Sequence, residues 1–307
     1  MTVLSIDELV DDYLVAHKQL LGKDVVGTGA NEFVEGTLHP SSLGYCHRRA
    51  MLSLLGKAER KRGEQEARNR RRKFELANHV HNLVYAALKY ASVLVVAEKD
   101  LTPLMPKVRD DLKWSGRLDF VANLGWGREA WDIKSQHPNA MRNQLAESLP
   151  KKPNMLQVGC YRRVALEECD LCNTLGIFYQ DRGGGNSPKE CRFPWTDDLA
   201  AELSDEMELM AFDAIKAIDE NELPAILPKL IDFKSYQKQI VLKPNWQCNE
   251  EYCDFAGASC KPLEGETGLA ELKDGVWKTT TKGRKYEEEI DAFLTDQLGE
   301  NYDGSLS

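Results

Sequence analysis

Between residues 64 and 90 apolar side chains recur every three or four positions. Phe74, Ala77, Val80, Val84 and Leu88 make one stripe, and the spacing predicts a long helix. Shorter helices are expected at 5–21 and 41–55, the second announced by Pro40-Ser41-Ser42 as an N-cap and carrying Cys46 in its first turns. The period then drops to two. Segments 93–101, 112–124 and 128–135 are rich in β-branched and aromatic residues and predict strands. Leu124-Gly125-Trp126-Gly127 supplies a hairpin turn between the last two. A helix over 153–168, a strand over 174–180, a glycine-rich turn at 181–188 and a returning strand at 191–195 follow. Helix resumes at 197–221 and again at 284–298, and Pro224, Pro228 and Pro244 mark an irregular stretch between them. Helix, three strands, helix, strand is the order of a small mixed sheet flanked by helices, an α/β core in a helical frame.

Composition narrows the class. The 307 residues suffice for one large domain or two modest ones, and 42% hydrophobic with 29% charged content is that of an ordinary globular chain. Apolar runs such as Val93–Ala97 are too short to span a bilayer, and acids stand near the first residues where a secretion signal needs bases. A cytoplasmic protein with no membrane partner is expected. Eight cysteines then point to metal ligation or redox chemistry more than to disulfides. The net charge of −9 hides a basic segment: from Cys46 to Lys73 there are eleven Lys/Arg against three Glu. Such a run is either a solvated helix face or a stripe for a phosphate backbone.

The segment 115–135 carries the most chemistry. Asp119 lies in one strand and Asp132 in the next, so the hairpin can bring the two carboxylates together. Two close anions repel unless a divalent cation joins them, and oxygen ligands suit Mg²⁺ or Mn²⁺. Lys134, two residues after Asp132, shares its face of the strand. A carboxylate pair beside an ammonium is what metal-assisted phosphodiester hydrolysis needs. Acid-x-Lys also occurs at Glu59, Asp111, Asp232 and Glu271. This copy differs in ending an apolar strand, following Gly-Arg-x-Asp (with Arg117) and preceding a polar-faced helix.

That context resembles the PD-(D/E)XK nuclease superfamily, in its RecB-like branch, over residues 40–165 and again near 246–260. The resemblance implies a restriction-endonuclease-like core with Lys134, Asp119 and Asp132 catalytic. In that branch a helix before the sheet offers a histidine four residues after a glycine. Ala77 to His81 fits with Ala in the glycine's place, and His79 lies about 200° round the helix from His81. The resemblance thereby implies that His81 is a metal ligand beside Asp119, Asp132 and the backbone carbonyl of Ile133. Gln157 and Tyr161, four apart on the following helix, match the family's active-site or DNA-contact pair, and Glu98 matches a further acidic position.

Some members hold a [4Fe–4S] cluster with one cysteine before the core and three after it. Cys46 and then Cys248, Cys253 and Cys260 repeat that layout, with wider late spacing than the family's; a four-cysteine zinc site is the alternative. Cys160, Cys169, Cys172 and Cys191 read as buried thiols or a redox pair. The expectation is a metal-dependent exonuclease on single-stranded DNA, of bacterial or phage recombination, replication or repair. It has an N-terminal helical region (1–90), a nuclease core (91–196) and a C-terminal helical region (197–307) ending in an iron–sulfur clasp. No G-x-x-x-x-G-K-[ST] accompanies it, so no helicase motor is attached. The alternatives are a non-cutting DNA-binding module on the same fold and a structure-specific endonuclease.

Overall fold

The computed structural model describes residues 4–16, 36–57, 59, 63–125, 127–165, 172–182, 185–225, 230–234, 239–243, 246–248, 253, 255–256, 258–260, 266–273, 276–281 and 283–298. The chain forms two compact units, one of Met1–Gly56 with Lys61–Glu222 and one of Lys57–Arg60 with Leu223–Ser307.

The first unit is built on a mixed sheet flanked by helices. Its helices are α1 (Ile6–Ala16), α2 (His47–Leu54), α3 (Glu64–Tyr90), α4 (Pro138–Ala146), α5 (Lys152–Val164) and α6 (Asp197–Asp219). Two short strands, β1 (Thr37–Leu38) and β3 (Lys107–Arg109), flank β4 (Leu112–Trp114) in a small sheet. The main sheet runs β2 (Leu94–Asp100), β5 (Arg117–Asn123), β6 (Arg128–Gln136), β7 (Thr174–Asp181) and β8 (Lys189–Pro194) in that spatial order. Neighbours are antiparallel except β6 and β7, which are parallel and joined through α4 and α5.

Helix α3 has the bounds its periodicity predicts. Glu64 and Glu66 lie at its positive end and Lys89 in its last turn, both favourable to the helix dipole. Its C-terminal half buries Val84, Tyr85, Ala87 and Leu88 against Ile6, Val10 and Tyr13 of α1 and Phe120, Trp131 and Phe178 of the sheet. The Phe120 and Trp131 rings stack at 6.1 Å, and Gly176 of β7 leaves room for the indole: a Cβ there would stand 2.3 Å from it. The N-terminal half departs from expectation. Phe74, the first apolar position of the stripe, is 58% exposed.

Other differences are local. The strand expected over 112–124 is two strands in two sheets, interrupted at Ser115-Gly116. Ser115 N–H donates to Leu38 of the small sheet, and the Gly116 carbonyl accepts from Leu101 N–H. Gly116 is packed so closely that a Cβ would lie 2.9 Å from both Met105 and Tyr161. The helix expected over 41–55 is a 3₁₀ turn, Pro40–Ser42, followed by α2. Gly44, at φ +69°, breaks the helical path, so Cys46 sits at the N-cap of α2 and not inside its first turns. Helix α4 was not anticipated, although Pro138 at its first position and the His137 ring accepting from Asn139 N–H are ordinary start signals. The helix expected over 153–168 is α5; its last expected residues and the first helix's 17–21 lie outside the described residues, as does Cys169.

In the second unit β9 (Leu230–Lys234), β10 (Gln239–Lys243), β11 (Glu266–Lys273) and β12 (Val276–Thr279) make an antiparallel sheet in the order β12-β11-β10-β9. Helix α7 (Glu287–Leu298) accompanies it, and Ile240, Leu269, Ala270, Trp277, Ile290 and Leu294 form the core. Sequence reading made this stretch irregular and helical. Pro228 and Pro244 lie outside the described residues, and the Glu, Ala, Leu and Lys of β11 are helix formers overruled by pairing on both sides.

Candidate metal centre and active site

The ladder register places the acids. Ala97 faces Phe120 and Lys99 faces Leu118, so Glu98 of β2 stands opposite Asp119 of β5. Phe120 faces Trp131, so Asp119 stands opposite Asp132 of β6. Three carboxylates thus line up across three adjacent strands, an arrangement that is repulsive without compensation. Glu98 also has a φ of +52°, rare for a residue with a Cβ and a form of local strain found at functional positions.

His81 arrives from α3. Its Nδ1 is 3.7 Å from Glu98 Oε1 and 4.0 Å from Asp119 Oδ2. Among the described residues, His81, Glu98 and Asp119 are the set of possible metal-binding side chains whose ligand atoms all lie within 4.8 Å of one another. The Tyr85 hydroxyl bridges them, donating to Glu98 Oε1 at 2.6 Å and standing 3.2 Å from His81 Nδ1. Asp119 Oδ2 accepts the Ile133 backbone N–H at 2.7 Å, so the carbonyl side of Ile133 belongs to the same neighbourhood. Arg117 pairs with Glu98 at 2.7 Å.

Beyond Asp132 a second group forms on α5. Lys134 Nζ is 2.7 Å from Asp132 Oδ2 and donates to Gln157 Oε1 at 2.8 Å. Gln157 Nε2 donates to Asp132 Oδ1 at 3.1 Å and to the Tyr161 hydroxyl at 3.0 Å. Positions 157 and 161 share one face of the helix, which is why both reach the strand end.

Electrostatics follow from this crowding. Burial, with Asp132 beside it, pushes the Asp119 carboxyl up to about 7. Burial alone would lower Lys134, but Asp132 and Asp119 outweigh it and hold the ammonium above its ordinary range. His81 is likewise raised, its burial outweighed by Glu98, Asp119 and Asp132. Glu98 is lowered because His81, Tyr85 and Arg117 outweigh its desolvation. The 2.7 Å contacts to Glu98 Oε2 and Asp132 Oδ2 are poorly aligned, so neither buried oxygen receives a well-directed hydrogen bond. Oxygens of this kind beside a raised carboxyl fit a hard divalent cation.

The sequence-based candidates His81, Glu98, Arg117, Asp119, Asp132, Ile133, Lys134, Gln157 and Tyr161 are all brought to this one place. Two neighbours were missed. Tyr85 shares the apolar face of α3 and reads as core. Tyr45, in the turn before α2, lies where the charges of Lys134, Asp132 and Arg49 act on its phenol, which burial pushes up. The cysteines are distributed otherwise. Cys46 belongs to the first unit; Cys248, Cys253 and Cys260 belong to the second and do not form a set with sulfurs within 4.8 Å of one another. All four are buried, and Cys253 and Cys260 border one loop in which Cys260 N–H donates to Phe255. Cys160, Cys172 and Cys191 are buried in the first unit, where burial pushes the Cys160 thiol up to about 12, far from a reactive thiolate.

No family model and no curated protein matches the chain. Solved structures similar to it include the following two. The crystal structure of SSO0001 gives a TM-score of 0.43 at 16% identity, over 83% of this chain and 97% of that one. An alkaline exonuclease, LHK-Exo from Laribacter hongkongensis, gives 0.36 at 11% identity, over 69% of this chain and 95% of that one. No helix among the described residues is long and apolar enough to cross a membrane.

Proposed function

We propose that the chain is a metal-dependent deoxyribonuclease that hydrolyses phosphodiester bonds from the ends of single-stranded DNA. The observation that carries this reading is the row Glu98, Asp119 and Asp132 across three strands, with His81 at one end and Lys134 at the other. His81, Asp119, Asp132 and the Ile133 carbonyl are the groups to hold Mg²⁺ or Mn²⁺, with Glu98 as a further carboxylate. When bound, the cation supplies Lewis acidity toward the phosphate and toward water. Lys134, kept charged by Asp132 and Asp119, offers its ammonium to negative charge growing on the phosphate oxygens. Gln157 fixes that lysine against Asp132, and Tyr161 fixes the glutamine. Arg117 and Tyr85 keep Glu98 ionised and aimed at His81.

The reading extends to a [4Fe–4S] cluster on Cys46, Cys248, Cys253 and Cys260, with zinc as the competing occupant. Its support is the order of the cysteines along the chain and the burial of each. It enters no catalytic step. Protein purified without oxygen should be brown with broad visible absorption, and Cys46→Ala should lose colour as completely as Cys253→Ala; a colourless zinc-containing protein would replace the cluster with zinc. The DNA pathway, whether recombination, replication or repair, belongs to the same proposal, as does a cytoplasmic setting.

Cleavage is tested with end-labelled single strands and Mn²⁺, beside Lys134→Ala. Shortening from an end, lost with EDTA and in the variant, is expected. Cutting of circular single strands would make it an endonuclease, and metal-dependent binding without cutting would make it a binding module. Equal cleavage by Lys134→Ala would overturn the assignment of the site.

A further inference from the structure

The turn that leads into α2 is pinned on both sides of Tyr45. The His47 ring is committed to α6, with Nδ1 2.7 Å from Asp213 Oδ2 and Nε2 3.0 Å from Glu206 Oε1. Glu206 Oε1 also accepts the Gly44 N–H at 2.6 Å. Gly44 packs so closely on α5 that a Cβ would lie 3.2–3.3 Å from Pro153 and Leu156. Leu156 adjoins Gln157, which accepts from Lys134 Nζ. The turn is thus fixed against two helices beside the lysine of the active site.

Tyr45 itself is half-buried, and its side chain makes no hydrogen bond among the described residues. The charges that act on its phenol are Lys134, Asp132 and Arg49. Arg49, in the first turn of α2, is exposed and has no carboxylate partner among the described residues. It belongs to the basic segment that opens at Cys46, from which His47 is already taken up by acids. A phenol O–H and a guanidinium with no acceptor of their own therefore stand at the Lys134 end of the carboxylate row.

We infer that Tyr45 and Arg49 grip the phosphate that Lys134 faces, the phenol through one hydrogen bond and the guanidinium through its charge. This rests on the nuclease reading above and deepens it by naming further contacts to the reacting diester. Phosphate oxygens only accept, and an O–H, a guanidinium and an ammonium are donors that meet them. The pinned turn suits the role, because a donor already in place costs little to order when the strand arrives. The competing account, a tyrosine that only packs on α5, lets the hydroxyl be removed without effect.

The test is binding of a fluorescent oligothymidylate, followed by anisotropy in Ca²⁺ over a range of salt. Tyr45→Phe keeps the ring and should melt at the wild-type temperature, yet bind about tenfold more weakly with an unchanged salt slope. Arg49→Gln should lower the slope of log affinity against log salt by about 0.7, the share of one phosphate contact on a single strand. In a Lys134→Ala background the Tyr45→Phe loss should shrink to less than about threefold, since both groups hold one phosphate. Wild-type affinity in Tyr45→Phe overturns the inference, as does a lowered melting temperature in that variant, a wild-type slope in Arg49→Gln, an undiminished loss beside Lys134→Ala, or no binding by the wild type. Wild-type cleavage in Mn²⁺ is followed in parallel. Binding that depends on Tyr45 and Arg49 without any cleavage would sink the nuclease reading alone, and cleavage with binding indifferent to both would sink the grip alone.

Discussion

Strand β6 carries two buried acids, Glu129 near its start and Asp132 at its middle, and they are satisfied differently. Glu129, near the start, is buried and its Oε2 accepts Trp131 Nε1 and Arg192 Nε, each at 3.0 Å. Arg192 also binds Glu190, whose other oxygen accepts the Ser5 hydroxyl and the Asp7 N–H. Here every acidic oxygen with a contact has an aligned donor, and the cluster ties α1 to β8. Three residues on, Asp132 joins a row of carboxylates in which two buried oxygens have cations near them but no aligned donor. Both places hold buried acids beside an arginine or lysine. The two places differ less in the count of charges than in how their donors are directed.

The largest effect that should divide the two acids is on catalysis. Asp132→Asn should lower Mn²⁺-dependent cleavage by about 10³-fold, whereas Glu129→Gln should leave it within about twofold, both read as initial rates on labelled strands. Comparable losses would erase the distinction.

Stability should move in opposite senses. Glu129→Gln keeps an oxygen acceptor but removes the buried charge that faces Arg192, and thermal melts should show a loss of about 1–3 kcal/mol. Asp119→Asn relieves repulsion with Asp132 while its amide oxygen still accepts the Ile133 N–H, so the metal-free variant should melt a few degrees above wild type. A lower melting temperature would mean that the carboxylate row is already balanced by the protein.

A smaller effect is the pH dependence of metal stabilisation. The Asp119 carboxyl rises from 3.8 to about 7 on folding, so between those values the folded protein binds more protons than the unfolded chain. That contribution is complete below pH 3.8 and is lost as pH rises through about 7. A cation competes with the same proton, so Mn²⁺ should raise the melting temperature more near pH 8 than near pH 6. Asp119→Asn should flatten the trend, which isolates this group from Glu98, whose shift has the opposite sign.

Much of this centre was legible in the sequence because its parts are local. Asp119, Asp132 and Lys134 fall on one hairpin, and period-two alternation fixes their face. Gln157 and Tyr161 are one helical turn apart. Glu98 was harder: its place follows from the β2–β5 register and a positive φ, and neither is written in nearby residues. Tyr85 was hidden because a tyrosine on an apolar stripe looks like core until its hydroxyl finds Glu98. The break at Ser115-Gly116 depends on Leu38, Leu101, Met105 and Tyr161, all distant in sequence. The sheet of the second unit escaped because Pro224, Pro228 and Pro244 read as a sign of no strands at all. Periodicity put Phe74 on the apolar stripe of α3, and only its exposure separates the N-terminal half of that helix from the packed half.

The most direct measurement is calorimetric titration of Mn²⁺ into wild type, Asp119→Asn and Glu129→Gln at about pH 8. Binding should be present in wild type, essentially unchanged in Glu129→Gln, and weakened at least about tenfold in Asp119→Asn. Wild-type binding that survives Asp119→Asn at full strength, or no binding by the wild type, would contradict a metal centre on the carboxylate row.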